Sequence, residues 1–320
     1  MRAASRLFCA AGLIGAAACA AMATSTPGPV APSDRAIRIE ARRVPLGIGG
    51  ATLGPGVTWA GGLVLRGSGL HGLSDLKIDG GRAWGVSDFG QLIRFTLQLD
   101  RNGRLVTADR AVTRPLTGPD GAVLTPKANA DSEGLAILPD GTVLVSFERD
   151  HRIWSYGAVA LDRPTAVARP DTDFPDNEGM EGLAAAPGGG WLVLGEGGGA
   201  WVCHAACAPL GAAPVMPADG FRFTGADIDP AGGWFVVERY YRPPLDMRVR
   251  VRRLSADGVL SDPVIQLRPP ASIDNFEGIA AVATTTGTRL YLLSDDNANA
   301  LQKTLLLAFD VAAPTPAPRP

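Results

Sequence analysis

Cysteine is scarce in this chain. Of 320 residues four are Cys, and two of those, Cys9 and Cys19, fall in the first 23 residues. Only Cys203 and Cys207 remain beyond them, too few for a disulfide-built framework. Histidine is scarcer still, with His71, His151 and His204 alone, which speaks against a zinc or copper centre built on imidazoles. Neither sign of charge dominates: 30 basic residues against 32 acidic ones give a formal charge of -2. That balance argues against nucleic acid or an anionic membrane surface as a partner. Beyond the N-terminus no apolar run approaches the ~18 residues that a membrane span needs. No glycine-rich phosphate loop stands between a strand and a helix, and the Gly triplets at 188–190 and 197–199 are turn glycines. The nucleophile elbow Gly-x-Ser-x-Gly is missing, and no Ser–His pair stands out.

The N-terminus is a targeting segment by its pattern. Arg2 and Arg6 form a positive start, Leu7 to Cys19 is an Ala/Gly-rich apolar run, and Ala21-Met22-Ala23 fits a small-x-small cleavage site. Residues 1–23 are therefore expected to be a signal peptide, with export to a periplasm or beyond. A buried N-terminal helix is the rival reading. A lipoprotein acylated at Cys19 is another, although Ala16 stands where Leu is usual. Residues 24–35 read as a flexible leader and residues 313–320 as a Pro-rich tail. In CHAAC, Cys203 and Cys207 suit a small local disulfide in an oxidising compartment. A metal site with His204 offers too few ligands for zinc.

What the chain has in abundance is turn residues, 40 Gly and 26 Pro, which favour many short strands over long helices. The stretch Asp131–Glu148 (DSEGLAILPDGTVLVSFE) sets two short β-prone runs around a Pro-Asp-Gly turn, a hairpin signature. The phrase returns at Met180–Glu196, Thr224–Arg239 and Phe276–Asp296, with a weaker first copy at His71–Asp88. Counted at Gly72, Gly134, Gly182, Gly225 and Gly278, the copies lie 62, 48, 43 and 53 residues apart. Periods of this size with several short strands each predict an all-β propeller of five, alternatively six, four-stranded blades over residues 36–312. The last copy lacks a fourth strand after Thr304–Val311. A strand from Ala36–Pro45 or Trp59–Leu65 is expected to complete it and close the ring, removing exposed edges.

The repeats align two sets of carboxylates. Glu133, Glu181 and Glu277, with Asp227 displaced by two residues, precede or open the first strand of their copies. Asp88, Glu148, Glu196, Glu238 and Asp295 follow the second strand. In a propeller both sets converge on the channel mouth, where clustered carboxylates need a cation or Arg beside them. Oxygen-rich, His-poor convergence suits Ca²⁺ first, or Mg²⁺, and Asn129, Asn177, Asn275 and Asn297 add neutral oxygens nearby. Arg149 and Arg239 directly follow Glu148 and Glu238, with Arg242, His151, Arg152 and Lys303 nearby. Their guanidinium forks suit a phosphate or carboxylate, or simply pair with their neighbours. His71 is a candidate general base. The alternative for any single carboxylate is the capping of a turn. Arg248, Arg250 and Arg252 alternate along a strand as a solvated face, a phosphate-binding strip being the other reading.

The segments DSEGLAILPDG with VSFE, NEGMEGLA, WFVVERYYRP and NFEGIAAV with LYLLSDDN resemble the phytase-like family of secreted bacterial propellers, described by an esterase-like activity of phytase. The resemblance runs from about Gly61 to Val311. It implies a phosphoesterase or esterase. Glu-Gly hairpins are also similar to those of lactonase-type propellers, where the Glu is a calcium ligand, which points to Glu133, Glu181 and Glu277. His71-Gly72 and Thr224-Gly225 depart from that pattern. The expectation is thus a monomeric hydrolase of small-molecule phosphate or carboxylic esters, assisted by a divalent cation. Glu133, Glu181, Asp227 and Glu277 would hold the cation; Glu133, Glu181 and His71 would be catalytic. Arg149, Arg239, Glu148, Glu238 and Asp295 would contact substrate. A calcium-dependent lactonase and a non-catalytic module binding a periplasmic ligand or protein are the alternatives.

Overall fold

The structure is a computed structural model that describes residues 32–313 apart from 159, 160 and 162. The candidate signal peptide, most of the leader and nearly all of the tail lie outside the described residues. Helix is confined among them to α1 (Lys127–Ala130) and one 3-10 turn at Pro187–Gly189. No helix among them is long and apolar enough to cross a membrane.

Four strands come first: β1 (Arg35–Ile37), β2 (Ile39–Arg43), β3 (Ala51–Leu53) and β4 (Val57–Gly67). Blade 1 follows as β5 (Leu73–Asp79), β6 (Arg82–Ser87), β7 (Gln91–Leu99) and β8 (Leu105–Pro115). Blade 2 is β9 (Ser132–Ile137), β10 (Val143–Phe147), β11 (Arg152–Gly157) and β12 (Thr165–Ala166). Blade 3 is β13 (Gly182–Ala185), β14 (Trp191–Leu194), β15 (Ala200–Cys203) and β16 (Cys207–Pro209), and Cys203 is disulfide-bonded to Cys207. Blade 4 is β17 (Arg222–Ile228), β18 (Trp234–Arg242), β19 (Asp246–Leu254) and β20 (Ile265–Leu267). Blade 5 has β21 (Asn275–Thr284), β22 (Gly287–Asp295) and β23 (Thr304–Ala312). Each blade is an antiparallel meander, and the whole is a five-bladed β-propeller.

Ring closure uses more of the N-terminus than the repeat count predicts. AIRIEARRVP reads as one strand but breaks at Arg38 into β1, paired with β8 of blade 1, and β2, paired with β4. β4 pairs antiparallel with β23 and so supplies the missing fourth strand of blade 5. β3 adds to the outer edge of blade 4. Three blades therefore have five strands rather than four, each outer edge covered by a piece of the same N-terminal segment. Pairing of those edges leaves fewer open backbone groups for another chain to add to.

The core is divided among the blade interfaces. One buried cluster joins blades 5 and 1 through Leu65, Leu76, Phe95 and Leu293. Others join blades 4 and 5 (Phe235, Phe276, Phe309), 3 and 4 (Leu194, Phe223, Trp234), 1 and 2 (Val86, Leu135, Phe147), and 2 and 3 (Leu144, Leu183, Val193). A blade is therefore covered on both faces, which explains why β10 and β14 are buried at every position instead of alternating. The innermost strands β5, β9, β13, β17 and β21 contact one another in turn around the axis. Their approach is close. A Cβ on Gly225 would meet Glu277 O at 2.0 Å, and one on Gly278 would meet Leu76 N at 2.8 Å. The Gly of the repeated Glu-Gly phrase is thus a packing requirement of adjoining blades.

Candidate active site at the channel mouth

An irregularity in four of the five inner strands shapes the site. Leu73 pairs with Ser87 and Asp75 with Val86, so Ser74 is the extra residue of a bulge. Thr224 and Glu277 are extra in the same way in β17 and β21, and Glu133 lies in the corresponding break of β9. Glu181 immediately precedes the first pair of β13, Gly182 with Leu194. Bulges re-aim side chains. Here Ser74, Glu133, Thr224 and Glu277 at the breaks, and Glu181 just before β13, are the corresponding residues of the five blades. Ser74, rather than His71, is the blade 1 member of the set, because the repeat is offset from Gly72 to Asp75.

Asp88, Glu148, Glu196, Arg239 and Asp295 form the second ring, each following the end of its blade's second strand or occupying its last turn of pairing. Blade 4 departs from expectation. Glu238 pairs with Phe223 as Ser87 does with Leu73, so it stands one residue early. Adjacent strand residues face opposite ways. Glu238 is therefore fully buried away from the channel, accepting from Arg252 Nη1 at 3.2 Å and the Ala218 amide at 3.2 Å, and Arg239 takes the channel position.

Together these residues enclose a cavity of about 200 Å³ lined by Ser74, Asp88, Glu133, Glu148, Asn177, Glu181, Glu196, Arg239, Glu277, Asp295 and Asn297. Seven carboxylates of the two aligned sets meet there in addition to Arg239: Asp88, Glu133, Glu148, Glu181, Glu196, Glu277 and Asp295. Arg239 is the one cation in the lining, and Lys127 Nζ pairs with Asp88 Oδ2 at 3.0 Å from outside it. Arg239 is hydrogen-bonded to Asn275 Oδ1 and lies 3.8 Å from both Glu196 Oε1 and Glu277 Oε1. Glu181 is only 8% exposed, and among the described residues its carboxylate has no hydrogen-bond or ion-pair partner. Burial first, and then the charges of Glu133, Glu277 and Glu196, push it well above the usual carboxylate range. Glu133 is raised likewise by burial and by Glu277, Asp131, Glu148 and Asp88. Burial lifts Glu277 to about 8 against the pull of Arg239, and Asp295 to about 7. Asp88, Glu148 and Glu196 are also raised, chiefly by burial. A cavity with this donor set fits a hard divalent cation, which would offset the charge that the fold leaves uncompensated. Asp131, Glu133 and Glu148 each bring an oxygen within 4.8 Å of the others.

Several expected members lie elsewhere. Asp227 is further along β17, its oxygens accepting from Ile228 N at 2.9 Å and Ala281 N at 2.7 Å. With those lone pairs engaged it ties blade 4 to blade 5 and does not line the cavity. Arg149 is held by Asp131 (2.7 Å) and is half exposed. His71 sits at the rim with its Nδ1 3.3 Å from Asp296 Oδ2, outside the lining. Of the asparagines, Asn177 and Asn297 line the cavity, and Asn275 donates to Glu277 Oε1 at 2.8 Å. Asn129 instead donates to Thr125 O. Arg248 pairs with Asp246 and Arg252 with Glu238.

Sequence reasoning missed two groups. Asp131 is buried and clamped by Lys127 Nζ (3.0 Å) and Arg149 Nε. Its place two residues before Glu133, on the same side of an extended chain, was the available signal. Deeper in the channel Asp75 and Lys77 form a buried ion pair at 2.7 Å. Alternation of charged residues inside an otherwise apolar inner strand was the mark it left in the sequence.

Comparison with known proteins adds the following. No match was found among curated proteins. Among solved structures, the chain is similar to the major Malassezia sympodialis allergen Mala s 1, at 15% identity over 81% of this chain and 90% of that one, TM-score 0.44. It is also similar to a catalytically inactive virginiamycin B lyase from Staphylococcus aureus with quinupristin, at 11% identity, 82% and 83% coverage and TM-score 0.42. A protein of unknown function from Bacteroides thetaiotaomicron matches at 7% identity, 87% and 77% coverage and TM-score 0.48. The phytase-like family, described as esterase-like activity of phytase, matches residues 68–298. That match spans well over half of the sequence, and the chain belongs to the phytase-like family.

Proposed function

We propose that the channel mouth binds a divalent cation, Ca²⁺ in the first place, and hydrolyses a phosphate or carboxylic ester. The observation that carries this reading is Glu181: a carboxylate more than nine-tenths buried, aimed into a cavity and given no donor by the protein. An unpaired buried charge is costly, so such a group is either protonated or met by a cation. Glu133, Glu181 and Glu277 would hold the ion, with Asp131 and Glu148 adjoining it. When bound, a divalent cation supplies Lewis acidity that polarises the ester oxygen and acidifies water.

The chain's own groups do the rest. Arg239, steadied by Asn275, presents the one guanidinium in the cavity lining and holds the anionic oxygens of the substrate and the charge that develops in the reaction. Asp295 is 5% exposed, with Oδ1 fixed by the Asn297 amide at 2.8 Å. Its other oxygen is available to take or return a proton at the ester. The N-terminal pattern supports export to the periplasm or beyond.

A panel of phosphomonoesters, aryl esters and lactones, assayed with calcium and with chelator, tests the reading. Turnover is expected with calcium alone. Arg239→Ala should lower kcat/KM by roughly 10²–10³, the usual loss on removing one donor to a developing anion. Turnover indifferent to both Arg239→Ala and Glu181→Gln would remove this site. Calcium-dependent ligand binding without turnover would leave a binding module.

A further inference from the structure

A second cavity opens beside the acidic one. It has a volume of about 490 Å³ and shares Arg239, Asn275 and Asn297 with the first site or its supports. Its walls differ in chemistry. Tyr241 near the end of β18, Pro244 and Leu245 in the turn to β19, Leu301 in the segment between β22 and β23, and Met247 and Ile273 are its apolar lining, with Asp274, Asn299 and Gln302 among the polar residues. Leu301 is 89% exposed, Leu245 80% and Tyr241 52%. Loop tips seldom present large apolar side chains to water. Here those of two neighbouring blades converge on one groove, and that groove runs into the channel mouth through Arg239.

Apolar side chains interleaved with a few polar groups, in a volume of a few hundred Å³, are the features of a small-molecule pocket. We infer that the substrate is amphipathic: its ester head lies at Arg239 and the carboxylates, and an apolar chain or ring of the same molecule lies in the Tyr241–Leu301 groove. This rests on the hydrolase reading for the identity of the head but not for the groove itself. The charge of the cavity lining also disfavours a compact polyanion. Seven carboxylates surround one guanidinium across the lining, so a ligand bearing many negative charges and no apolar part would meet repulsion at the mouth and no apolar complement in the groove.

The test uses straight-chain alkylphosphonates from methyl to octyl, titrated calorimetrically into the mature protein with calcium present. Affinity should rise by roughly two- to fourfold per added methylene, the increment of burying one CH₂. Leu245→Ser with Leu301→Ser, both on highly exposed side chains and so neutral to folding, should flatten that series and leave methylphosphonate binding unchanged. A flat series in the unmodified protein would overturn the inference, as would an equally steep one in the double variant. So would a concentration-dependent dimer, seen by sedimentation, that the double variant abolishes, since the groove would then be covered by a second copy. Loss of turnover on every ester with the chain-length series retained would defeat the hydrolase reading alone. Turnover retained with a flat series would defeat this inference alone.

Discussion

The propeller channel holds buried carboxylates at two levels, and the two levels treat them differently. Inside the channel, Asp75 accepts from Lys77 Nζ at 2.8 and 2.7 Å, from Leu76 N at 2.6 Å and from Leu135 N at 2.8 Å. Lys77 also donates to Ile279 O at 3.3 Å. Asp227 accepts two backbone amides. These bonds cross from blade 1 to blades 2 and 5 and from blade 4 to blade 5, so the inner level is a set of staples. At the mouth Glu181 has no partner among the described residues, and Glu133 and Glu277 crowd it with like charge. Burial raises both levels: Asp75 to about 7 in spite of Lys77, and Asp227 to about 6. The perturbed acidity alone therefore does not distinguish structure from function. What separates the levels is whether the fold supplies donors for the charge it buries.

The comparison breaks first at Lys77. Lys77→Met leaves Asp75 buried without its counter-charge and should cost about 3–5 kcal/mol of stability, read by urea unfolding. Calcium should not restore it. A loss under about 1 kcal/mol would mean that the inner level is not a staple.

The next contrast is pH. Glu277 and Asp295 have folded values of about 8 and about 7, above their usual 4.5 and 3.8. Between those limits the folded protein holds protons that the unfolded chain has released. Stability in chelator is accordingly full below about pH 4 and lost as pH rises towards about 8, by up to ~1.4 kcal/mol per pH unit for each such group. Calcium favours the ionised forms and should flatten the slope. Unfolding midpoints across this range, with and without calcium, give the answer, and a calcium-independent slope would place the burden on the inner level instead.

The smallest expected effect is at Arg149. Its side chain is half exposed and engaged with Asp131, which Lys127 also holds. Arg149→Ala should leave the unfolding midpoint nearly unchanged and kcat/KM within a few fold, in contrast to Arg239→Ala. Equal losses at the two arginines would return Arg149 to the substrate.

Repetition made the ring legible in the sequence. Five Gly-anchored hairpins gave five blades, and the incomplete last copy pointed to N-terminal closure. The split of residues 36–45 between two blades was not legible, because β1 and β2 are one alternating run interrupted only at Arg38. The site was readable where the blades share a register. Glu133, Glu181 and Glu277 align in sequence and meet in space. In blades 1 and 4 the phrase drifts by one to three residues, and on a strand a shift of one reverses the side chain. That is why Glu238 and Arg239 exchange roles, why Ser74 was passed over for His71, and why Asp227 lies in the inner level. The unpartnered state of Glu181 depends on what the four other blades present to it, which no single copy of the repeat encodes.

The central claim is that Glu181, among the mouth carboxylates, lacks a partner which calcium provides. Thermal unfolding near pH 8 across a calcium titration, for the unmodified protein and for Glu181→Gln, measures it most directly. The account predicts a saturable rise in Tm with calcium that is lost in Glu181→Gln, and a variant more stable than the unmodified protein in chelator. No calcium-dependent rise in the unmodified protein, or the same rise in both, would contradict it.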